Sequence, residues 1–349
     1  MDIKEILKSL VMQDIPSGNE IDNNMIIKNY FLQYCDNVII DKLGNVIGLK
    51  RGLSSEYKVM LAAHMDEIAL MVREIDNNGF IRFVLIGGVD QRILPAQQVI
   101  IHGKEEINGI IGNKPPHIQD TEDRKKAVEV DNLFIDTGLS AKEVKEKVSV
   151  GDFITFKKKP VELLNNYISS NALDDRAGIV VMLYVLEQLT KLKHYVDIYT
   201  VATVQEEVGL RGAIVSSYGV NPDIGIAIDV CHGNMPDTAE YETQKLGAGP
   251  ALALGPNIHP KLFKQLKNIA EEYNIPYQLD PEPSSTGTDA WAIQITMDGI
   301  PTALVSIPLK YMHTTVETLC LDDIKTSGRL IALFIASLCK EFMEGLTCF

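Results

Sequence analysis

The sequence predicts an α/β fold, in which a sheet domain is interrupted by a small all-β domain. Two observations predict it. Apolar residues at helical spacing alternate with short β-like runs towards both ends of the 349-residue chain. Between them, over residues 67–165, the pattern changes to short alternating strands separated by turns. Helix–strand alternation on both flanks of a β-rich insert is the pattern of an α/β sheet carrying an insertion. Residues 1–66 and 166–349 are therefore assigned to one domain and 67–165 to another.

In chain order, residues 3–12 carry helical periodicity. The turn Pro16-Ser17-Gly18 with Asn19 separates them from a second helical run at 21–34. Strands are expected at 38–40, 46–49 and 59–63. In the insert they are expected at 68–72, 80–84, 98–102, 107–111 and 153–156, with turns at Asn78-Gly79 and Gly87-Gly88. The charged stretch 119–130 is expected to be mobile. Beyond the insert, helices expected at 175–189, 209–217, 261–273 and 321–343 alternate with strands at 196–204, 224–228 and 302–306. No repeat or low-complexity tract interrupts the order.

Hydrophobic residues make up 46% of the chain and charged residues 23%, ordinary for a globular protein able to bury a large core or two domains. A net charge of −14 argues against nucleic-acid binding, since phosphate recognition needs a basic footprint. The first 20 residues show no basic leader followed by an apolar run, so no signal peptide is expected. The most apolar late stretch, 330–339, is too short to span a bilayer. Cys35, Cys231, Cys320, Cys339 and Cys348 are odd in number, scattered and never in a C-x-x-C pair. Reduced thiols and a cytoplasmic location are expected, rather than a disulfide framework or a thiolate zinc site.

The chemistry gathers where expected strands end. The run Lys58-Val59-Met60-Leu61-Ala62-Ala63 leads into His64-Met65-Asp66, and ligands of open α/β sheets bind beyond the carboxyl ends of strands. His64 and Asp66, two apart on an extended chain, project to one side. A carboxylate beside an imidazole is what a metal-ligating histidine needs for its orientation, although H-x-D alone also describes a core histidine at a strand end. The strand at 196–204 leads to Gln205-Glu206-Glu207, and adjacent glutamates are costly to bury unless paired or ligating. One of the two can hold a metal and the other a water; a solvated loop is the plain alternative. Asp229 follows the strand 224–228. Asp174-Asp175 stand at an expected helix start, where N-capping is the simple explanation. His313 follows the strand 302–306 through Ile307-Pro308-Leu309-Lys310-Tyr311-Met312.

Taken together, His64, Asp174, Glu206/Glu207, Asp229 and His313 form a nitrogen and oxygen donor set without sulfur. It suits zinc foremost, with cobalt or manganese as alternatives. Five ligands exceed one catalytic zinc with an open position. They suit two cations about 3.5–4 Å apart sharing a bridging carboxylate.

Ala172-Leu173-Asp174-Asp175-Arg176-Ala177-Gly178, Val204-Gln205-Glu206-Glu207-Val208-Gly209-Leu210-Arg211-Gly212-Ala213 and Ile307-Pro308-Leu309-Lys310-Tyr311-Met312-His313 resemble the glutamyl/deblocking aminopeptidase family. Ala62-Ala63-His64-Met65-Asp66-Glu67-Ile68 and Gly287-Thr288-Asp289-Ala290 are similar to segments of the same family, whose oligomeric members are called tetrahedral (TET) aminopeptidases. The matches run in chain order over nearly the whole sequence. The resemblance implies a phosphorylase/hydrolase-like three-layer catalytic domain with a PDZ-like β-barrel insert used in assembly. It implies His64 and Asp229 on one metal, Glu207 and His313 on the other, and Asp174 bridging. Glu206 becomes the general base and Asp66 the orienting partner of His64. Substrates would be peptides with a free amino end, and the assembly a homo-oligomer between a dimer and a dodecamer, with no nucleic-acid or membrane partner.

Three departures from the family pattern bear on the substrate pocket: Thr314-Thr315 after His313, Trp291 after Asp289-Ala290, and Cys231-His232-Gly233-Asn234-Met235-Pro236 after Asp229. The rival activities are a metallo-deacylase or carboxypeptidase, and an endoglucanase as some relatives are labelled. Pro283-Ser284-Ser285-Thr286-Gly287-Thr288 lacks a P-loop lysine and reads as a turn lining the cleft.

Overall fold

The computed structural model describes residues 1–120 and 126–346. The centre of the charged 119–130 stretch and Cys348 lie outside the described residues. The chain opens with α1 (Ile3–Val11) and α2 (Met25–Phe31), then β1 (Asn37–Ile40), β2 (Val46–Lys50) and β3 (Lys58–His64). There follow β4 (Ala69–Ile75), β5 (Ile81–Ile86), β6 (Gln98–His102), β7 (Glu106–Gly112), β8 (Phe134–Asp136), α3 (Ala141–Lys147) and β9 (Phe153–Phe156). After β10 (Val161–Glu162) and β11 (Tyr167–Ser170) come α4 (Leu173–Gln188), β12 (Asp197–Thr203), α5 (Arg211–Val220) and β13 (Ile224–His232). The rest is β14 (Ala251–Leu254), α6 (Pro260–Glu272), β15 (Gln278–Pro281), α7 (Asp289–Gln294), β16 (Thr302–Lys310), β17 (Glu317–Cys320), α8 (Leu321–Ser337) and α9 (Lys340–Glu344).

One sheet runs β1-β2-β12-β3-β13-β16-β17-β11-β10, with β14 and β15 attached through β16. Its centre, β12, β3, β13 and β16, is parallel. Parallel strands are covered on both faces, and β3 shows how. Val59, Leu61 and Ala63 pack into the cluster built by α1, α4, α6 and α8. Met60 and Ala62 pack into a second cluster with Ala213 of α5 and Ala290, Ala292 and Ile293 of α7. Alternate side chains of one strand thus serve two helix layers, which explains why these strands read as unbroken apolar runs.

Strands β4-β5-β8-β7-β6-β9 close into a separate six-stranded barrel. Period-2 patterning fits it: in β7, Ile107 and Ile111 are buried while Glu106, Asn108 and Ile110 face out. Its core also holds Leu70, Ile81, Phe83, Val99, Ile101, Ile135 and Ile154. The closing contacts are short, two residue pairs between β4 and β9 and one between β5 and β8.

Several elements differ from expectation. The second helix starts at Met25 because residues 21–24 form a turn. The closing helix breaks in two after Ser337, where Leu338 and Cys339 take extended backbone. β13 and β16 run on together beyond the expected ends, pairing Val230 with Ile307 and His232 with Leu309. The short strands β8, β10, β11, β14, β15 and β17 carry too little pattern to be seen in the sequence. No helix is long and apolar enough to cross a membrane among the described residues, and Cys35, Cys231, Cys320 and Cys339 are free thiols.

Candidate active site and metal centre

Parallel packing of β3, β12, β13 and β16 brings their carboxyl ends to one rim of the sheet. His64 is the last residue of β3 and is 2% exposed. Glu206 and Glu207 follow the end of β12, and His313 lies in the turn after β16 with a left-handed φ of 59°. Asp229 sits within β13 rather than at its exit, because the strand continues to His232. Asp174 is at the non-helical entrance of α4, after β11, and its peptide bond to Asp175 is cis.

The two imidazoles meet one carboxylate. His64 Nε2 lies 3.0 Å from Asp174 Oδ1, and His313 Nε2 lies 3.5 Å from Asp174 Oδ2 and 3.3 Å from Glu207 Oε1. One ligand atom each from His64, Asp174 and Glu207 falls within 4.8 Å of the others, as does a second set from His64, Asp175 and Asp229. His64 Nδ1 donates to the main-chain oxygen of Asp66 at 3.1 Å, while the Asp66 carboxylate stands 3.6 Å off. The expected support of His64 by Asp66 therefore runs through the carbonyl. A carbonyl only accepts, so Nδ1 carries the proton and Nε2 keeps its lone pair for a cation. The Asp66 carboxylate instead accepts from Ser17 Oγ at 2.6 Å and from the main-chain N–H groups of Glu206 at 3.0 Å and Glu207 at 3.3 Å.

The electrostatics fit a cation. Burial, with Asp229, Asp289 and Glu207 nearby, pushes the Glu206 carboxyl up to about 10. Burial and Asp174 push Asp229 up to about 8. Hydrogen bonds to Asp174 and Glu207 hold His313 up at about 11. Against its own burial, Asp174 is held well below the usual carboxylate range by His313 and His64. So many buried acids cannot all ionise without compensating positive charge. Asp175 Oδ2 is buried with no hydrogen-bond partner. With nitrogen and oxygen donors only, the residues present fit divalent metal.

Sequence reasoning overlooked four supporting residues. Buried Glu317 accepts from the main-chain N–H groups of Leu173 (2.9 Å), Asp174 (3.2 Å) and His313 (2.9 Å). Asp175, next to Asp174 at the helix start, joins His64 and Asp229 in a possible ligand set. Asp289 accepts from Thr203 Oγ1 at 2.6 Å, and Ser17 holds Asp66. The available signals were the acid that opens the β17 run and the serine of the Pro16-Ser17-Gly18 turn.

A cavity of about 540 Å³ opens over the cluster. His64, Asp174, Glu206, Glu207, Asp229 and His313 line it, as do Cys231, His232, Glu242, Gln244, Asp280 and Glu282. Thr286, Gly287 and Thr288 line it as the expected turn. Of the three departures, Cys231 and His232 reach the cavity; Trp291, Thr314 and Thr315 are not among its lining residues. Thr314 serves its own turn, donating to the oxygen of Tyr311 at 2.6 Å.

Residues 44–330 match the M42 glutamyl aminopeptidase family. The chain belongs to that family. This M42 peptidase is 38% identical to the lysyl aminopeptidase of Pyrococcus furiosus, over 96% of this chain and 97% of that one. Its structure is similar to that of a TET aminopeptidase from the marine-sediment archaeon Thaumarchaeota archaeon SCGC AB-539-E09, at a TM-score of 0.94, 34% identity and 99% coverage of each chain. The TET1 peptidase of Pyrococcus horikoshii, which assembles into a tetrahedron or a large octahedral shell, matches at a TM-score of 0.85 and 32% identity, covering 97% of this chain and all of that one. A Thermotoga maritima structure described as an endoglucanase shares the fold at 32% identity and a TM-score of 0.76, covering 94% of this chain and 96% of that one. Membership makes this chain an aminopeptidase, and the glycosidase, deacylase and carboxypeptidase readings fall away.

Proposed function

We propose that this M42 peptidase removes residues from free amino ends with two divalent cations, and that the shared position of Asp174 between His64 and His313 carries the reading. In it, His64 and Asp229 would hold one ion, Glu207 and His313 would hold the other, and Asp174 would be shared between them. When bound, such a pair supplies a Lewis acid and lowers the pKa of water towards neutrality. Zinc is the first choice, with cobalt or manganese as alternatives.

The chain's own groups do the rest. Glu206 stands on the cavity wall beside the candidate ligands. Burial and its acidic neighbours hold its proton in the free site, and cations bound there would offset those charges and free the carboxylate to act as a general base. It takes a proton from the attacking water and delivers it to the leaving amine. Asp66 fixes the Glu206–Glu207 turn through its carboxylate and the His64 ring through its carbonyl.

Further acids of the cavity lining support a preference for a cationic amino-terminal residue. Glu242, Asp280 and Glu282 line the cavity, and no lysine or arginine does among the described residues. Burial raises the carboxyls of Asp280 and Glu282, and the charge of Asp280 adds to the effect on Glu282. A lysine or arginine side chain would relieve that repulsion, in keeping with the lysyl aminopeptidase likeness.

Residues 67–165 form the insert used for homo-oligomerisation in this reading, from a dimer up to a dodecamer, as the TET1 likeness supports. The free thiols support a cytoplasmic location, and the acidic net charge argues against nucleic-acid partners. Chelator treatment should abolish hydrolysis of aminoacyl anilides, and zinc, cobalt or manganese should restore it. Turnover indifferent to chelation would overturn the metal-dependent reading.

A further inference from the structure

We propose that the barrel is part of the active site, and that the carbonyl of Gly88 is the group that fixes the His313 ring. The inference rests on the reading of His313 as a metal ligand. The two imidazoles of the cluster are held in the same manner from different places. His64 Nδ1 finds its carbonyl two residues away, on Asp66. His313 Nδ1 finds its own 225 residues away in sequence, donating to the Gly88 oxygen at 3.2 Å. In both rings Nε2 is thereby left facing Asp174. His313 is the more exposed of the two, at 32%, so its ring depends more on that one anchor.

The turn that delivers the carbonyl has no room for side chains. Gly87 follows β5 with φ +75°, a left-handed conformation that favours glycine. A Cβ on Gly87 would stand 2.9 Å from Ile68 Cγ2 and 3.4 Å from the Glu207 side chain. A Cβ on Gly88 would stand 2.6 Å from His313 Nδ1 and 2.9 Å from Cε1. Gly88 therefore makes space for the His313 ring, Gly87 makes space for Ile68 with the Glu207 side chain at contact distance, and Gly88 lines the catalytic cavity. Val89, the next residue, is buried in the barrel core and ties the turn to it. A shift of the barrel relative to the sheet thus moves the anchor of one ligand and leaves the anchor of the other in place.

The test compares Gly88→Ala with His313→Ala and with Gly109→Ala, whose Cβ would crowd Ile135 and Ile101 inside the barrel, away from the site. Zinc affinity is measured by competition titration on the full-length assembly, and the visible spectrum of the cobalt-loaded protein reports ligand geometry. Gly88→Ala is expected to weaken one of two zinc equivalents by about 10–100-fold and to alter the cobalt spectrum. Gly109→Ala is expected to lower thermal stability while leaving both unchanged. Should Gly88→Ala fold poorly, Val89→Ala loosens the same turn without crowding the ring, and a smaller weakening of the same single equivalent is expected. Wild-type affinity and spectrum in the turn variants, with one equivalent lost in His313→Ala, would overturn the role of Gly88 alone. Retention of both equivalents in His313→Ala would overturn the two-metal reading and this inference with it.

Discussion

Glu317 Oε1 accepts a hydrogen bond from the main-chain N–H of His313 at 2.9 Å, and its other oxygen takes those of Leu173 and Asp174. A single buried carboxylate on β17 thus sets the backbone of two candidate ligands that are distant in the sequence. Glu317→Gln places an amide N–H against one of these donors. The expected result is a loss of about 10–100-fold in metal affinity or turnover without loss of fold, read by metal titration alongside circular dichroism.

Among the described residues no lysine or arginine forms an ion pair with Glu206, which lines the cavity, so its carboxyl is placed to shuttle a proton. Glu206→Gln should keep the metal and the fold while kcat falls about 10²–10⁴-fold, the usual contribution of a positioned general base. Metal content and steady-state kinetics on the same preparation check it, and near wild-type kcat would assign the base elsewhere.

Charge in the pocket should set side-chain choice. Neutralising the wall with Asp280→Asn and Glu282→Gln is expected to lower kcat/KM for lysyl and arginyl substrates relative to leucyl ones. A panel of aminoacyl anilides measures the ratio. An unchanged ratio would detach these two residues from specificity.

Metal loading should depend on pH with a definite sign. In the free site His313 holds its proton up to about 11 and Asp229 up to about 8, and both must release protons to ligate a cation. Apparent affinity is therefore expected to fall as pH is lowered from 8 to 6, where these groups are protonated, and loading should release protons into the buffer. Titration calorimetry in buffers of differing ionisation enthalpy counts them.

Much of this was legible in the sequence, and the reasons are physical. The central strands β3, β12, β13 and β16 are buried on both faces, so they stand out as apolar runs. A histidine or acid closely following such a run marks a sheet rim. The five expected ligands and Glu206 do line a single cavity. What escaped were contacts between distant segments. The Gly88 carbonyl beside His313 and the Glu317 carboxylate beneath Asp174 involve a backbone atom and a strand of four residues, and neither leaves a periodic trace. The helix break at Leu338–Cys339 also escaped, since apolar spacing continues across it.

Anomalous diffraction from crystals of the zinc-loaded protein tests the central claim most directly. Two peaks about 3.5–4 Å apart, one beside His64 and Asp229 and one beside Glu207 and His313 with Asp174 between them, are the predicted result. A single peak, or ions bound away from Asp174, would contradict it.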